Sequence, residues 1–429
     1  MREPRVLIIS NNPFSLVSNN GKTLYSFFKD FNQSHIRQIF FSSEIPSIKG
    51  EYLATYESQI LRNFFRSGRK WINYKIRRNN VTSQSSYTSS VKLITNLKKN
   101  KLIRDMREIL WSFASLYDDN FKEYILKFNP DIVFFCAGDT IFSYKIVKEV
   151  LKLTSAKLVT YVTDDYITIE KGMSIYEKNR RKKIERFLRE TVEKGELFYT
   201  ISPMMKEYYD KKFSVNSEVI VNITEDFLLP IASEELNSEQ KKYKSIIYAG
   251  GLHLNRNKSL LKFLEIISQM NNEFNTNFQI ELYSGDSLNL KDIKKIGAER
   301  YIKMHGLLQP KDLKEKLNDA DYLLFLESFD KNSINSTKYS LSTKIPEYLS
   351  LNKPIIAIGP PEVSSIKYLK DCSYPIGDLN ISVEKLYNFF RDEELKNNIK
   401  NKAREKYIKH HSSIVKQKMY ESLLTIVKY

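Results

Sequence analysis

The residues best suited to chemistry in this 429-residue chain stand where short apolar runs give way to helix-like text. Ser342-Thr343-Lys344 puts two hydroxyls and an ammonium where a helix begins, and Glu347 follows within its first turns. Phosphate oxygens can accept from the hydroxyls, from Lys344 and from the unpaired amides of a helix start, while Glu347 can accept from both hydroxyls of a ribose. Gly250-Gly251, ahead of Arg256 and Lys258, is a complementary set. Its glycines free the backbone for close approach, and its two cations reach a second helix start, which suits a diphosphate. Gly21 allows a similar approach to phosphate or sugar, or is simply a turn glycine. Asp164 and Asp165 could hold a hydroxyl or stabilise developing positive charge, or else cap the next helix.

Such groups need strands that end beneath them, because in open parallel sheets ligands bind outside the carboxyl ends of the strands. The chain supplies them. Val6–Ser10, Asp131–Phe135, Lys157–Val162, Leu197–Ile201 and Glu218–Val221 are short apolar runs of the kind a parallel sheet covers on both faces. Helical periodicity separates them, from Thr23 to Phe31, Ser143 to Leu153 and Pro203 to Phe213. A polar, acidic stretch follows, and then a second alternating series: strands at Ser245–Tyr248, Phe278–Tyr283, Tyr301–Met304, Tyr322–Leu326 and Pro354–Ile358, with a helix at Ser259–Asn271. The expected organisation is a Rossmann-like domain at 1–222, a linker at 223–242, a second Rossmann-like domain at 243–405 and a closing helix at 406–429. In that helix Ile414, Val415, Met419, Leu423, Leu424 and Val427 recur near the helical period and need a surface to cover.

Composition narrows the classes. The chain is too long for one ordinary core, and no apolar run nears the roughly 20 residues a membrane-spanning helix needs. The opening residues lack the long apolar centre of a secretory signal, so a cytoplasmic address is expected. Cys136 and Cys372 are far apart and have no ligand-like neighbours, so neither a disulfide framework nor a metal site is expected. Net charge is +17, and residues 61–107 hold thirteen Lys or Arg against the single acid Asp105, interleaved with Phe64, Phe65, Trp71 and Tyr74. That mixture reads as a solvated face or as a contact with the anionic inner face of a membrane. A nucleic-acid partner is not expected, because no reader motif accompanies the charge. The dinucleotide fingerprint G-x-G-x-x-G is also absent, which argues against a nicotinamide or flavin enzyme.

The stretch Ser342-Thr343-Lys344-Ile-Pro-Glu347-Tyr-Leu, running on to Lys353-Pro354-Ile-Ile, resembles the donor-binding helix of family 4 retaining glycosyltransferases. His305-Gly306, with the strand that opens at Asp321-Tyr-Leu-Leu, and Ile201-Ser-Pro-Met-Met-Lys-Glu-Tyr-Tyr are similar to other parts of the same family. The resemblance runs over most of the chain and is thinnest across 45–125. It implies a GT-B fold, α/β, with two doubly wound domains facing a central cleft and a last helix crossing back to the N-terminal domain. It further implies transfer from a nucleoside diphosphate sugar, expected to be a UDP-sugar, to a saccharide or lipid-linked saccharide, with retention and without metal or other cofactor, as in bacterial surface polysaccharide assembly. Gly21, Gly251, Arg256, Lys258, His305, Gly306, Thr343, Lys344 and Glu347 are then the donor residues, and Asp164 and Asp165 the catalytic candidates. Two departures stand out: Tyr339 occupies the place of a first family glutamate eight positions before Glu347, and Thr163-Asp164-Asp165-Tyr166 replaces a family histidine. A nucleotide-sugar epimerase of the same architecture, and a catalytically decayed transferase serving as a membrane or partner scaffold, stay open as alternatives.

Overall fold

The apolar runs fold as the strands of two separate sheets in a computed structural model that describes residues 3–16, 19–55, 60, 75–78, 108–111, 119–224 and 242–428. The basic aromatic segment 61–107, apart from the backbone of 75–78, lies outside the described residues, as does most of the expected linker. One compact unit comprises Met1–Ile220 with Lys416–Tyr429, and the other Val221–Val415.

In the first unit the strands are β1 (Val6–Ser10), β2 (Ile36–Phe40), β3 (Glu51–Ala54), β4 (Lys75–Arg78), β5 (Ile132–Ala137), β6 (Lys157–Val162), β7 (Leu197–Thr200) and β8 (Glu218–Val219). Their order is β4-β3-β2-β1-β5-β6-β7-β8, parallel except where β3 meets β4. Ile9 of β1 lies opposite Ile39 of β2 on one side and Phe135 of β5 on the other. The winding therefore reverses between β1 and β5, and a crevice opens there beyond the strand ends. All residues of β1 and β5 are buried, as expected of strands with helices on both faces.

The second unit repeats the plan. Strands β9 (Lys244–Ala249), β10 (Phe278–Tyr283), β11 (Ile302–Met304), β12 (Tyr322–Leu326), β13 (Ile355–Ile358) and β14 (Tyr374–Ile376) form an all-parallel sheet in the order β11-β10-β9-β12-β13-β14. Here the winding reverses between β9 and β12, where Ile246 pairs with Tyr322. The core gathers Ile246, Tyr248, Leu324 and Ile356 from the sheet with Phe263, Leu264 and Ile267 from the helix Arg256–Phe274.

Local boundaries differ from expectation in two places. The first helix begins at Asn19, not Thr23, so Gly21 lies in its first turn and not in a loop; the polar pair Asn19-Asn20 reads as loop but equally suits a helix start. In the last helix, Ser413–Lys428, Met419 and Leu423 are buried while Ile414 and Val427 are exposed, so the covered stripe is narrower than its apolar residues suggest. Its residues from Lys416 onward group with the first unit, where Tyr420 meets Phe31 edge-on at 5.2 Å. No helix among the described residues is long and apolar enough to cross a membrane.

Candidate functional site

In the second unit, the carboxyl ends of β9 and β12 are joined by a charged network. Arg256 opens the helix that follows β9, and its Nη2 donates to Glu327 Oε2 at 2.8 Å, directly after β12. Its Nε reaches the same oxygen and the Leu326 carbonyl, each at 3.2 Å. Both partners are secluded, with the Arg256 side chain 13% and that of Glu327 4% exposed. Ser259 Oγ, one turn along, donates to the Glu327 carbonyl at 2.9 Å. His253 Nε2 lies 3.4 Å from Arg256 Nη1.

Lys344 enters from the other side. Its Nζ stands 4.6 Å from the centre of the Tyr248 ring and 3.5 Å from the Tyr248 hydroxyl. That hydroxyl donates to the Gly251 carbonyl at 2.8 Å, fixing the glycine loop. Gly250 has a φ of +148° and a Cβ there would collide with the Lys344 amine, so both backbone and space require glycine. The helix Ile345–Ser350, which carries Glu347, is tied to β9 by Tyr348, whose hydroxyl accepts from the Ala249 amide at 3.2 Å. Burial pushes the Tyr248 phenol well above its ordinary pKa; Arg256 works against this, and Glu327 and Asp286 add to it. Asp286, beyond β10, accepts from the Leu252 amide at 2.8 Å and closes the loop from a third strand.

Of the donor residues expected from sequence, Gly251, Arg256 and Lys344 converge here. Lys258 is exposed in the first turn of the Arg256 helix, and Thr343 and Glu347 are half-buried around the start of the Ile345 helix. His305 stands at the edge strand β11, stacked on Tyr283 at 4.6 Å with its Nε2 3.3 Å from Glu281 Oε2. Gly306 has a φ of +75° and turns the chain so that Leu307 packs over Gly285. Gly21 belongs to the first unit. Tyr248, Glu327 and Asp286 were not anticipated, although a carboxylate that directly follows a wholly buried strand, as Glu327 does, is a readable signal.

The first unit has its own crevice. Gly138, after β5, leaves no room for a Cβ because the Asn11 amide lies against it. Thr140 Oγ1 donates to Asn11 Oδ1 at 2.8 Å, and Thr163 Oγ1 to Asn20 Oδ1 at 3.2 Å. Asp165 Oδ1 accepts from the amides of Ile167 and Thr168 at 3.1 Å each, so it shapes the loop after β6. Asp164 accepts from the Tyr166 hydroxyl at 3.1 Å. Neither caps the next helix, because Ser174 does, accepting from the Glu177 amide. Burial pushes the nearby Cys136 thiol up to about 12, with Asp164 adding to the shift, so this cysteine is inert.

No protein-family model and no curated protein matches the chain. Solved structures do. A glycosyltransferase from Rickettsia africae is similar over 99% of both chains at 13% identity, with a TM-score of 0.61. The sucrose-phosphate synthase from Thermosynechococcus elongatus is similar over 99% of both chains at 12% identity and TM-score 0.61. Anabaena HepE in complex with UDP matches 98% of this chain and 100% of its own at 10% identity, with a TM-score of 0.63. At such identities the likeness shows the fold: two parallel-sheet α/β domains of the GT-B kind.

Proposed function

We propose that this protein is a glycosyltransferase that moves a sugar from a nucleoside diphosphate sugar, a UDP-sugar, to a saccharide or lipid-linked saccharide with retention of configuration and without a metal ion. The observation that carries the reading is the convergence of Gly250, Lys344 and the Arg256–Glu327 pair on the crevice between β9 and β12. Bare backbone beside cations at a switch point of a parallel sheet is where a diphosphate is held. The fold agrees with it, and similar structures are described as complexes with UDP and with UDP-glucose.

In this reading Glu347 accepts from the ribose hydroxyls, and Lys344 and Lys258 neutralise the diphosphate as it leaves. Arg256 already spends its charge on Glu327, so it positions the glycine loop and screens that carboxylate. The bond from the anomeric carbon to the diphosphate breaks as the bond from the acceptor oxygen forms, and the acceptor proton passes to a diphosphate oxygen. Asp164 is the carboxylate suited to orient an acceptor hydroxyl, because Asp165 is committed to its loop. The enzyme then works in the cytoplasm, peripherally at the membrane where its acceptor is lipid-linked.

Calorimetric titration tests the site. Glu347→Ala and Lys258→Ala are each expected to weaken UDP binding by about ten- to a hundredfold, the worth of one or two hydrogen bonds to charged groups. Unchanged affinity in both variants overturns the assignment. Incubation with UDP-sugars alone separates the chemistry, since a rearranged sugar released without acceptor would mark an epimerase.

A further inference from the structure

Beyond Asp164 and Asp165 the loop after β6 is fixed at both feet and open between them. At one foot Ile167 is buried and Arg181 Nη1 donates to the Thr168 carbonyl at 2.7 Å. At the other, Ser174 caps the helix Ile175–Glu193. Between them Glu170 is half-buried, Lys171 is exposed, and Gly172, at a φ of +91°, has nothing within 4 Å of where a Cβ would stand. Ile169 and Ile175 flank this opening, 39% and 78% exposed, and Ile175 is the most exposed large apolar side chain among the described residues. An isoleucine left so open forgoes the stabilisation its burial would give, and the first position of a helix has no need of an apolar group.

The helix carries the same surface onward with charge. By their spacing Ile175, Asn179, Lys182, Lys183 and Arg186 fall on one face, and all five are exposed, while Arg180, Ile184 and Leu188 are buried opposite. The acids near this face are already matched. Glu177, turned inward, lies 3.4 Å from Arg181, and Glu185, at the flank, lies 3.1 Å from Lys212. Arg186 keeps a long contact of 4.0 Å with Glu190, whereas Lys171, Lys182 and Lys183 have no ion pair with a described residue. Open isoleucines beside unmatched ammonium groups suit an anionic lipid surface, where lysines meet headgroup phosphates and apolar side chains enter the boundary with the acyl chains. A nucleic acid would answer the lysines and leave Ile169 and Ile175 in water.

We infer that the loop 169–174 and the outward face of the helix Ile175–Glu193 dock on an anionic membrane, with Ile169 and Ile175 in the interface and Lys171, Lys182 and Lys183 on the headgroups. The same loop carries Asp164, so docking would bring that carboxylate to a lipid-linked acceptor. This last step rests on the glycosyltransferase reading; the docking itself does not.

Flotation of the full-length protein with lipid vesicles tests the docking. Phosphatidylcholine vesicles containing about one-third phosphatidylglycerol are expected to bind it at least about tenfold more tightly than phosphatidylcholine alone. Lys182→Glu with Lys183→Glu should weaken binding to the anionic vesicles by about tenfold or more, since each cation near the surface is reversed. Ile175→Asn leaves the charge unchanged and should weaken it roughly fivefold. All three positions are exposed, so the variants should melt at the temperature of the starting protein. Equal binding to the two kinds of vesicle, or undiminished binding in the lysine variant, overturns the inference. Undiminished binding in Ile175→Asn overturns it as well, because it would leave only a polyanion surface of the kind a nucleic acid fills. UDP titration of the same proteins keeps the two readings apart: UDP bound by a protein that ignores the vesicles sinks only the docking surface, and vesicles bound without UDP sink only the donor site.

Discussion

The two crevices share a plan and differ in chemistry. Each lies where a parallel sheet reverses its winding, and each has a glycine pressed by a side-chain nitrogen: Gly138 by Asn11 in the first unit, Gly250 by Lys344 in the second. Between β1, β5 and β6 the groups are amides, hydroxyls and carboxylates, bonded largely to backbone and to one another. Between β9 and β12 they are cations, one already matched by a buried acid and one resting on a tyrosine ring. A doubly wound sheet thus fixes where a ligand can sit, and the few residues after each strand decide which ligand.

The comparison is broken most severely at Glu327. Replacing it by alanine leaves the Arg256 guanidinium secluded without its partner, and breaking one side of a buried pair costs about 3–5 kcal/mol. Urea unfolding of Glu327→Ala should show a loss of that order, and Glu327→Ala combined with Arg256→Met should recover much of it. A loss below about 1 kcal/mol in the single variant would mean that the second crevice is no more pre-paired than the first.

Acid distinguishes the units next. His411 is wholly buried at the end of the helix Glu393–His411, its Nδ1 2.7 Å from the Asn222 carbonyl and its Nε2 2.9 Å from the Tyr368 hydroxyl. These partners call for a proton on Nδ1 and a neutral ring that ties the two ends of the second unit together. Burial drives its pKa down to about 3, with His410 and Lys406 also lowering it and the bond to Asn222 opposing. The folded value lies below the unfolded one of 6.5, so the unfolded chain takes up the proton first. Stability is therefore full above about pH 6.5 and is lost as the pH falls toward 3, by roughly 2–3 kcal/mol at pH 4.5. Both tryptophans belong to the first unit, so the far-ultraviolet transition in urea should move further on acidification than the tryptophan transition. Coincident shifts, or an equal acid loss in His411→Gln, would remove this distinction.

Much of this was legible in the sequence, and the gaps have physical causes. β1, β5, β6, β12 and β13 read correctly because strands covered on both faces are short continuous apolar runs. β2 and β3 did not. Gln38, in the middle of β2, breaks the run, yet it is buried, with its amide serving Ser10 Oγ and the Phe14 amide. Gly251, Arg256 and Lys344, which stand together in the second unit, could be singled out because glycine and cations at helix starts of an α/β sheet have few structural uses. The pairing of Arg256 with Glu327 could not, because a contact across 71 residues leaves no local trace. Tyr248 was hidden for another reason: inside a buried strand it looks like core, and only its hydroxyl, bonded to Gly251, shows otherwise.

The smallest effect separates two roles that the sequence left open for Asp164 and Asp165. If either capped the helix Ile175–Glu193, its loss would fray that helix; instead Ser174 Oγ accepts from the Glu177 amide at 3.2 Å. Ser174→Ala should therefore cost about 1 kcal/mol, the usual worth of a cap, and leave the proposed transfer activity near its starting level. Asp165→Ala removes the acceptor of two amides in the loop beside Asp164 and should cost a similar amount. On the proposed function the difference should appear in activity: released from its turn, that loop no longer holds Asp164 at the end of β6, so kcat of the proposed transfer should fall while UDP affinity, assigned to the other unit, should stay. Equal activity in the two alanine variants would show that the first crevice supplies shape alone and that the acceptor is oriented by other groups.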